Sequence, residues 1–96
     1  MGTPAYMAPE VPQGVITPAA DMYSLGICFY EMLTGKPPYQ MHSVYLKKDR
    51  VYKDPSGVVA GTSPEIDRLV RDALDPDPAT RIKSAGAFLQ RLEAIL

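Results

Sequence analysis

This chain of 96 residues has one histidine and one cysteine, the residue types that most often serve as metal ligands or nucleophiles. The single histidine, His42, has no Cys, His or acidic neighbour at the spacing of metal ligands, which favours a surface loop. The single cysteine, Cys28, stands in an apolar run, where a buried and unreactive thiol is expected. The sequence therefore predicts no metal site, no nucleophilic site and no cofactor-binding residue in this chain.

The most informative motif lies at the start of the chain. It consists of Gly2, Thr3, Pro4, Ala5, Tyr6 and Met7, followed by Ala-Pro-Glu at residues 8–10. This motif resembles the end of the activation segment in eukaryotic-type protein kinases. The resemblance continues in Asp-Met-Tyr-Ser-Leu-Gly at residues 21–26 and in residues 30–39, and returns in Asp-Pro-Asp-Pro-Ala-Thr-Arg at residues 75–81. The sequence of the first motif is similar to that of Ser/Thr kinases. Residues 17–21 and 33–39 look like the corresponding segments of bacterial members of this class.

The resemblance implies the C-terminal part of the large lobe of a Ser/Thr kinase. The parent enzyme would transfer the γ-phosphoryl group of ATP to Ser or Thr of a protein substrate with the help of Mg²⁺. The Gly-rich loop, the strand Lys and the His-Arg-Asp and Asp-Phe-Gly motifs of such a kinase are absent from these 96 residues. The isolated chain is therefore predicted to be inactive and to bind no nucleotide.

In such a kinase, residues 2–7 would form a docking loop, the wall against which the substrate peptide rests. The resemblance implies that the Thr3 hydroxyl would hydrogen-bond the catalytic Asp and its neighbouring Lys. It also implies that Asp21 would anchor the catalytic loop of the parent. A simpler role for Asp21, favourable charge in the first turn of a helix, needs no upstream partner.

The resemblance further implies that Glu10 and Arg81 meet in a buried ion pair. Such a pair would tie the end of the activation segment to the loop before the last helix. A planar guanidinium and a carboxylate fit each other through two parallel hydrogen bonds, which Lys could not reproduce. The alternative is two unrelated surface charges, which is the ordinary expectation for charged residues.

Composition limits the other classes of function. With 46% hydrophobic residues, 22% charged residues and a net charge of −1, the chain looks globular and has no basic surface for nucleic acid or an anionic membrane. Its apolar runs are too short to span a bilayer, and no signal peptide is visible. One cysteine allows no internal disulfide and suits a reducing cytoplasm.

The residues of the later motifs must be positioned by helices. Thr17 can cap a helix that Pro18 starts and Gly35 ends. This helix is apolar all round, so it is predicted to be central and covered on every side, with Met22 and Met32 in the core. Within it, Gly26 favours close approach of another backbone.

The rest of the chain predicts three weaker or shorter helices. Residues 43–49 form a candidate in which the basic run Lys47, Lys48 and Arg50 reads as a solvated face. Residues 51–63 read as a loop, and residues 1–17 as a loop with at most one helical turn. Ser63 and Ser84 cap the last two helices. The prediction is one all-α partial domain, with residues 1–17 as the activation-segment end and 18–96 as a helical platform.

Two functions remain open at this point. The chain is either a segment of a Ser/Thr kinase or a non-catalytic, kinase-derived helical module that acts by protein–protein contact. In the family, the central helix is covered partly by elements upstream of this segment. Both functions therefore predict an exposed apolar face and self-association, as a dimer or by exchange of a terminal element between copies.

Overall fold

The computed structural model describes residues 4–12, 15–40 and 43–96, and every regular element among them is a helix. A 3₁₀ turn at Pro4–Tyr6 precedes five α-helices: α1 (Pro18–Thr34), α2 (Val44–Lys48), α3 (Pro55–Val58), α4 (Pro64–Ala73) and α5 (Ala85–Ile95). The all-α prediction is confirmed. None of these helices has the length and apolar character needed to cross a membrane. The predicted surface position of His42 lies outside the described residues.

The central helix α1 begins and ends where the sequence predicts. The Thr17 hydroxyl accepts a hydrogen bond from the Ala20 amide at 3.0 Å, and Pro18 occupies the first turn. Gly35 closes the helix with φ of 89°, a left-handed conformation that glycine adopts without steric cost. Its amide donates to the Glu31 carbonyl at 2.8 Å.

The core lies between α1 and α4, and α3 and α5 both pack against α4. Helix α4 directs its whole apolar stripe inward; the buried residues are Ile66, Leu69, Val70, Ala73 and Leu74. Helix α5 contributes Phe88, whose ring meets Phe29 of α1 edge to face with centroids 5.2 Å apart. The prediction of a central apolar helix packed by further helices is confirmed.

At Gly26, α1 packs directly against the end of α4. A Cβ atom placed on Gly26 would lie 2.8 Å from Ala73 Cβ and 2.9 Å from Leu74 Cδ2, and 3.3 Å from the backbone carbon of Ala73. Real Cβ atoms do not approach other atoms this closely, so only glycine fits. The predicted close approach of another backbone is confirmed.

The prediction that α1 is covered on every side is wrong for this chain, whereas the exposed apolar face that the sequence also predicts is present on α1. Cys28 is exposed, and Met32 keeps 82% of its surface in contact with solvent. Their positions in the helix, four residues apart, put both side chains on a face that no described element covers. Met22, by contrast, is buried as predicted, against the cluster that contains Phe88.

Helix α3 falls within residues that the sequence predicts to be a loop. It has only four residues and begins at Pro55. Its stability comes from contacts with α4, where the Asp67 carboxylate accepts the Ser56 amide at 3.0 Å. A single turn held by tertiary contacts has no periodic apolar pattern, so the sequence could not predict it.

Candidate functional site

The described part of the predicted docking loop is fixed at two successive backbone carbonyls. The Tyr6 carbonyl accepts a hydrogen bond from the Ser24 hydroxyl of α1 at 2.8 Å. The Met7 carbonyl accepts one from the Lys47 ammonium of α2 at 2.7 Å. Ala5 is buried. Gly2 and Thr3, which complete the predicted loop, lie outside the described residues.

The side chain of Tyr6 is also tied to α1. Its hydroxyl donates to the Glu31 carboxylate. This hydrogen bond is the main reason that the pKa of Tyr6 lies above its ordinary value, because an ionised phenol could not donate to a carboxylate. Tyr6 is therefore a neutral donor throughout the physiological range, and the loop is held by its side chain as well as by its backbone.

Glu10 and Arg81 lie in a bidentate ion pair, 71 positions apart in sequence. Arg81 Nη1 donates to Glu10 Oε2 at 2.9 Å, and Nη2 donates to Oε1 at 2.8 Å. The Arg81 side chain is completely buried, whereas that of Glu10 keeps 21% of its surface exposed. The pair joins the segment that follows the docking loop to the loop that precedes α5.

Arg81 holds more than the carboxylate. Its Nε donates to the Asp75 carbonyl at 2.8 Å, and Nη1 also donates to the Ala19 carbonyl at 2.7 Å. The guanidinium carbon lies 4.9 Å from the ring centroid of Tyr23, within cation–π range. The buried cation is thus compensated by one carboxylate, two carbonyls and one aromatic ring, which is the degree of satisfaction that a buried charge requires.

The ionisation of Glu10 follows from these contacts. Partial burial raises the pKa of Glu10, but the hydrogen bonds from Arg81, a backbone hydrogen bond and the charge of Arg81 together outweigh that effect and leave the pKa below its ordinary value. The carboxylate is therefore charged at neutral pH, and both partners of the pair are ionised.

The loop that presents Arg81 is rigidly hydrogen-bonded. Asp75 accepts the Asp77 amide at 2.9 Å and the Thr80 hydroxyl at 2.7 Å. Asp77 in turn accepts the Ala79 amide at 2.9 Å. Aspartates commonly fix turns in this way, by accepting amides two residues on. The two Asp-Pro steps of the motif therefore set the position from which Arg81 reaches Glu10.

Asp21 lies in the first turn of α1, and its side chain is exposed. A carboxylate at the start of a helix interacts favourably with the positive end of the helix dipole. The structure thus gives Asp21 a stabilising position at the start of α1.

Three residues that bind Tyr6 and Met7 were not predicted from the sequence: Ser24, Glu31 and Lys47. Lys47, predicted to lie on a solvated face, is completely buried, so that prediction is wrong. Its neighbours Lys48 and Asp49 are exposed, and they give the segment the appearance of a surface run. A weak signal is present, because Lys47 follows Val44 by three positions and shares its helical face. Ser24 and Glu31 carry no comparable signal.

Comparison with known proteins decides the family. The family model described as "Protein kinase domain" matches residues 1–91. The chain belongs to the protein kinase family. The resemblance read from the motifs is confirmed at the level of the family.

The kinase relatives include bacterial and yeast proteins. Serine/threonine-protein kinase PknL of Mycobacterium tuberculosis is 39% identical over 100 residues, covering 99% of this chain and 25% of the relative. Serine/threonine-protein kinases drp72 of Corynebacterium efficiens is 34% identical, covering 99% of this chain and 19% of the relative. Serine/threonine-protein kinase YPK1 of Saccharomyces cerevisiae is 37% identical, covering 90% and 13%. This kinase chain thus spans a quarter or less of the length of these relatives.

Proposed function

We propose that this chain is the C-terminal part of the large lobe of a Ser/Thr protein kinase. The complete kinase would transfer the γ-phosphoryl group of ATP to Ser or Thr of a protein substrate. The observation that carries the proposal is the bidentate pair of Glu10 and Arg81 within a chain of this family. It joins the two kinase-like motifs that lie farthest apart in the sequence.

In this proposal, the chain supplies substrate docking and a structural platform. The docking loop of residues 2–7 is the surface that a substrate peptide meets. Support comes from the hydrogen bonds at Tyr6 and Met7, which hold the loop on α1 and α2 without help from any upstream element. A preorganised loop binds a peptide without first losing conformational entropy. Asp21 is proposed to anchor the catalytic loop of the complete kinase.

ATP and Mg²⁺ are proposed as cofactors of the complete kinase, and the residues described here do not fit them. Among residues 4–12, 15–40 and 43–96, no three His, Cys, Asp or Glu side chains group as the ligands of a metal ion would. The sequence also lacks the Gly-rich loop and the strand Lys that hold the phosphates in kinases. The residues described are therefore given no part in the transfer of phosphate.

The test of docking uses the product of the complete reading frame that encodes this chain. Replacing Met7 by Ala is expected to raise the KM for a Ser- or Thr-centred peptide about tenfold, because contact area in the docking surface is lost. The KM for ATP is expected to be unchanged. Initial rates of phosphate transfer, measured against each substrate in turn, give both constants.

The matched control is Val58→Ala, which truncates an exposed apolar side chain on α3. It is expected to leave both KM values unchanged. Equal effects of the two substitutions on the peptide KM, or an effect of Met7→Ala on ATP alone, would contradict a docking role for residues 2–7.

The second candidate function is a non-catalytic helical module that acts by protein–protein contact. The observation that favours it is the exposure of large apolar side chains on α1 and α5. The exposed fractions are 82% for Met32, 54% for Leu89 and 92% for Leu96. Apolar residues exposed in this number on adjacent elements are typical of an interaction surface.

Both candidate functions lead us to expect that isolated chains self-associate through the uncovered face of α1 that carries Met32. Sedimentation velocity over a hundredfold range of concentration is expected to show a reversible monomer–dimer equilibrium. Met32→Lys is expected to shift it towards monomer, because a buried ammonium would be costly. Val58→Lys on α3, which changes another exposed apolar residue, is the control. Monomer at every concentration would contradict self-association.

A further inference from the structure

Lys47, the buried lysine of α2, is the donor that holds the Met7 carbonyl. Lys47 has no solvent-exposed surface, although α2 is only five residues long and its other lysine is exposed. Burial lowers the pKa of Lys47 to about 8. Placing an ammonium group in such a position opposes folding unless its contacts compensate for the lost hydration.

Lys47 contacts the docking loop and two aromatic rings. Its Nζ donates to the Met7 carbonyl at 2.7 Å. The same atom lies 5.9 Å from the ring centroids of Tyr23 and of Tyr39, at the limit of cation–π range. Tyr23 and Tyr39 are themselves buried, so these aromatic rings form fixed walls beside the ammonium group.

Lys47 and Ser24 together fix two neighbouring peptide groups from two different helices. Ser24 of α1 holds the Tyr6 carbonyl, and Lys47 of α2 holds the next one. Farther along the chain, Arg81 holds the Glu10 carboxylate. The segment between residues 6 and 10 is therefore fixed at both ends, and at its first end a charged donor makes the bond, which is stronger than a bond from a neutral donor.

We propose that Lys47 is a positioning residue for substrate docking: by holding the Met7 carbonyl, it sets the backbone of residues 5–7 in the form that the substrate peptide meets. This inference rests on the proposed docking function. It assigns Lys47 no contact with the substrate and no part in phosphate transfer. Its effect passes through the loop, so it acts on peptide recognition and not on nucleotide recognition.

The main experiment compares Lys47→Met with Lys48→Met in the product of the complete reading frame. Met keeps most of the volume of the Lys stem and removes the donor, whereas Lys48 is an exposed neighbour on the same helix. Lys47→Met is expected to raise the peptide KM about tenfold, as the loss of a charge-assisted hydrogen bond predicts, with the ATP KM unchanged. Lys48→Met is expected to change neither constant.

A second measurement uses the unmodified chain and so does not depend on the folding of a variant. The carbonyl ¹³C resonance of Met7 is followed by NMR from pH 6.5 to 9.5. Because Lys47 loses its proton near pH 8, this resonance is expected to titrate with that midpoint. The titratable groups that Lys47 faces, Tyr23 and Tyr39, have raised pKa values because they are buried, and they remain neutral in this range.

The outcomes separate the inference from the proposed function. If the wild-type product phosphorylates peptides and Lys47→Met behaves like Lys48→Met, the positioning role of Lys47 is overturned while the proposed function stands. A Met7 resonance that stays constant while the Lys47 ammonium itself loses its proton overturns it as well. If the wild-type product phosphorylates no Ser or Thr peptide, the proposed function fails, and the docking role of Lys47 fails with it. A selective rise in peptide KM together with a Met7 titration near pH 8 supports both.

Discussion

Replacing Arg81 by Met is expected to lower the free energy of unfolding by about 3–5 kcal/mol, because it removes one partner of a buried ion pair. The substitution deletes the two bonds to Glu10 and the bonds to the carbonyls of Ala19 and Asp75. Small domains have total stabilities of about 5–15 kcal/mol, so a loss of this size brings the chain close to unfolding. Urea denaturation followed by circular dichroism measures it.

Arg81→Lys and Arg91→Met provide the controls. Lys keeps the charge but cannot make the parallel bonds of the guanidinium, so Arg81→Lys is expected to recover only part of the loss. Arg91 pairs with Asp72 at 2.6 Å, but both side chains are about half exposed. An exposed pair contributes about 0–1 kcal/mol, so Arg91→Met is expected to lower the free energy of unfolding by no more than about 1 kcal/mol. Equal losses at Arg81 and Arg91 would contradict a structural role for the buried pair.

Acid provides a further check of the same pair. The folded-state pKa of Glu10 is lowered, so its contribution to stability is present above the pKa of the unfolded chain and is lost as the pH falls through the folded value. The affected window therefore lies below the ordinary pKa of 4.5. Glu10→Gln is expected to reduce stability at neutral pH and to show a smaller further loss between pH 5 and 3 than the wild type.

The second large effect is expected at Gly26. Gly26→Ala places a Cβ atom 2.8 Å from Ala73 Cβ, and one contact is with backbone, which cannot rotate away. Overpacking of this kind costs about 1–3 kcal/mol. The helical preference of Ala returns at most about 1 kcal/mol. The net expectation is destabilisation, seen as a lower midpoint of urea denaturation, with a still larger effect for Gly26→Val.

Two further variants separate packing from helix propensity. Gly86→Ala in α5 adds the same methyl group where the nearest atom, Ser84 Oγ, is 3.9 Å away. It is expected to stabilise the chain by up to about 1 kcal/mol. Combining Gly26→Ala with Ala73→Gly removes the closest clash and is expected to cost less than the sum of the two single changes. Stabilisation by Gly26→Ala would contradict the close packing of α1 on α4.

Helices α1 and α4 were predictable because their signals are local. Thr17 and Ser63 cap α1 and α4, each helix has proline in its first turn, and Gly35 closes α1 in the left-handed region. Caps and apolar periodicity depend on residues a few positions apart, which a sequence displays directly. Helix α3 depends instead on a contact with Asp67, eleven residues away, and has no pattern of its own.

Burial was less predictable than secondary structure. The sequence predicted a core position for Met32 and a solvated one for Lys47, and both predictions were wrong. An apolar helix shows that most of its faces are covered, but not which face lies against another element. For Lys47, the deciding feature is a backbone carbonyl forty positions earlier in the chain. No property of the residues around Lys47 reveals that carbonyl.

The candidate site was predictable only through resemblance. Spacing alone gives no reason to connect Glu10 with Arg81, because the two lie at opposite ends of the chain. The motifs around them supplied the expectation, and the geometry of the pair can be stated only from the structure. The hydrogen bond that Ser24 donates to the Tyr6 carbonyl and the one that Glu31 accepts from the Tyr6 hydroxyl belong to no recognisable motif, so they could not be predicted from the sequence.

The most direct test of the account is an assay of phosphate transfer that compares this 96-residue chain with the product of the complete reading frame that encodes it. With radiolabelled ATP, Mg²⁺ and a degenerate library of Ser- and Thr-centred peptides, the complete product is expected to transfer phosphate. The chain alone is expected to transfer none, since it would carry the docking surface and not the nucleotide site. Transfer by the chain alone, or no transfer by the complete product, would contradict the account.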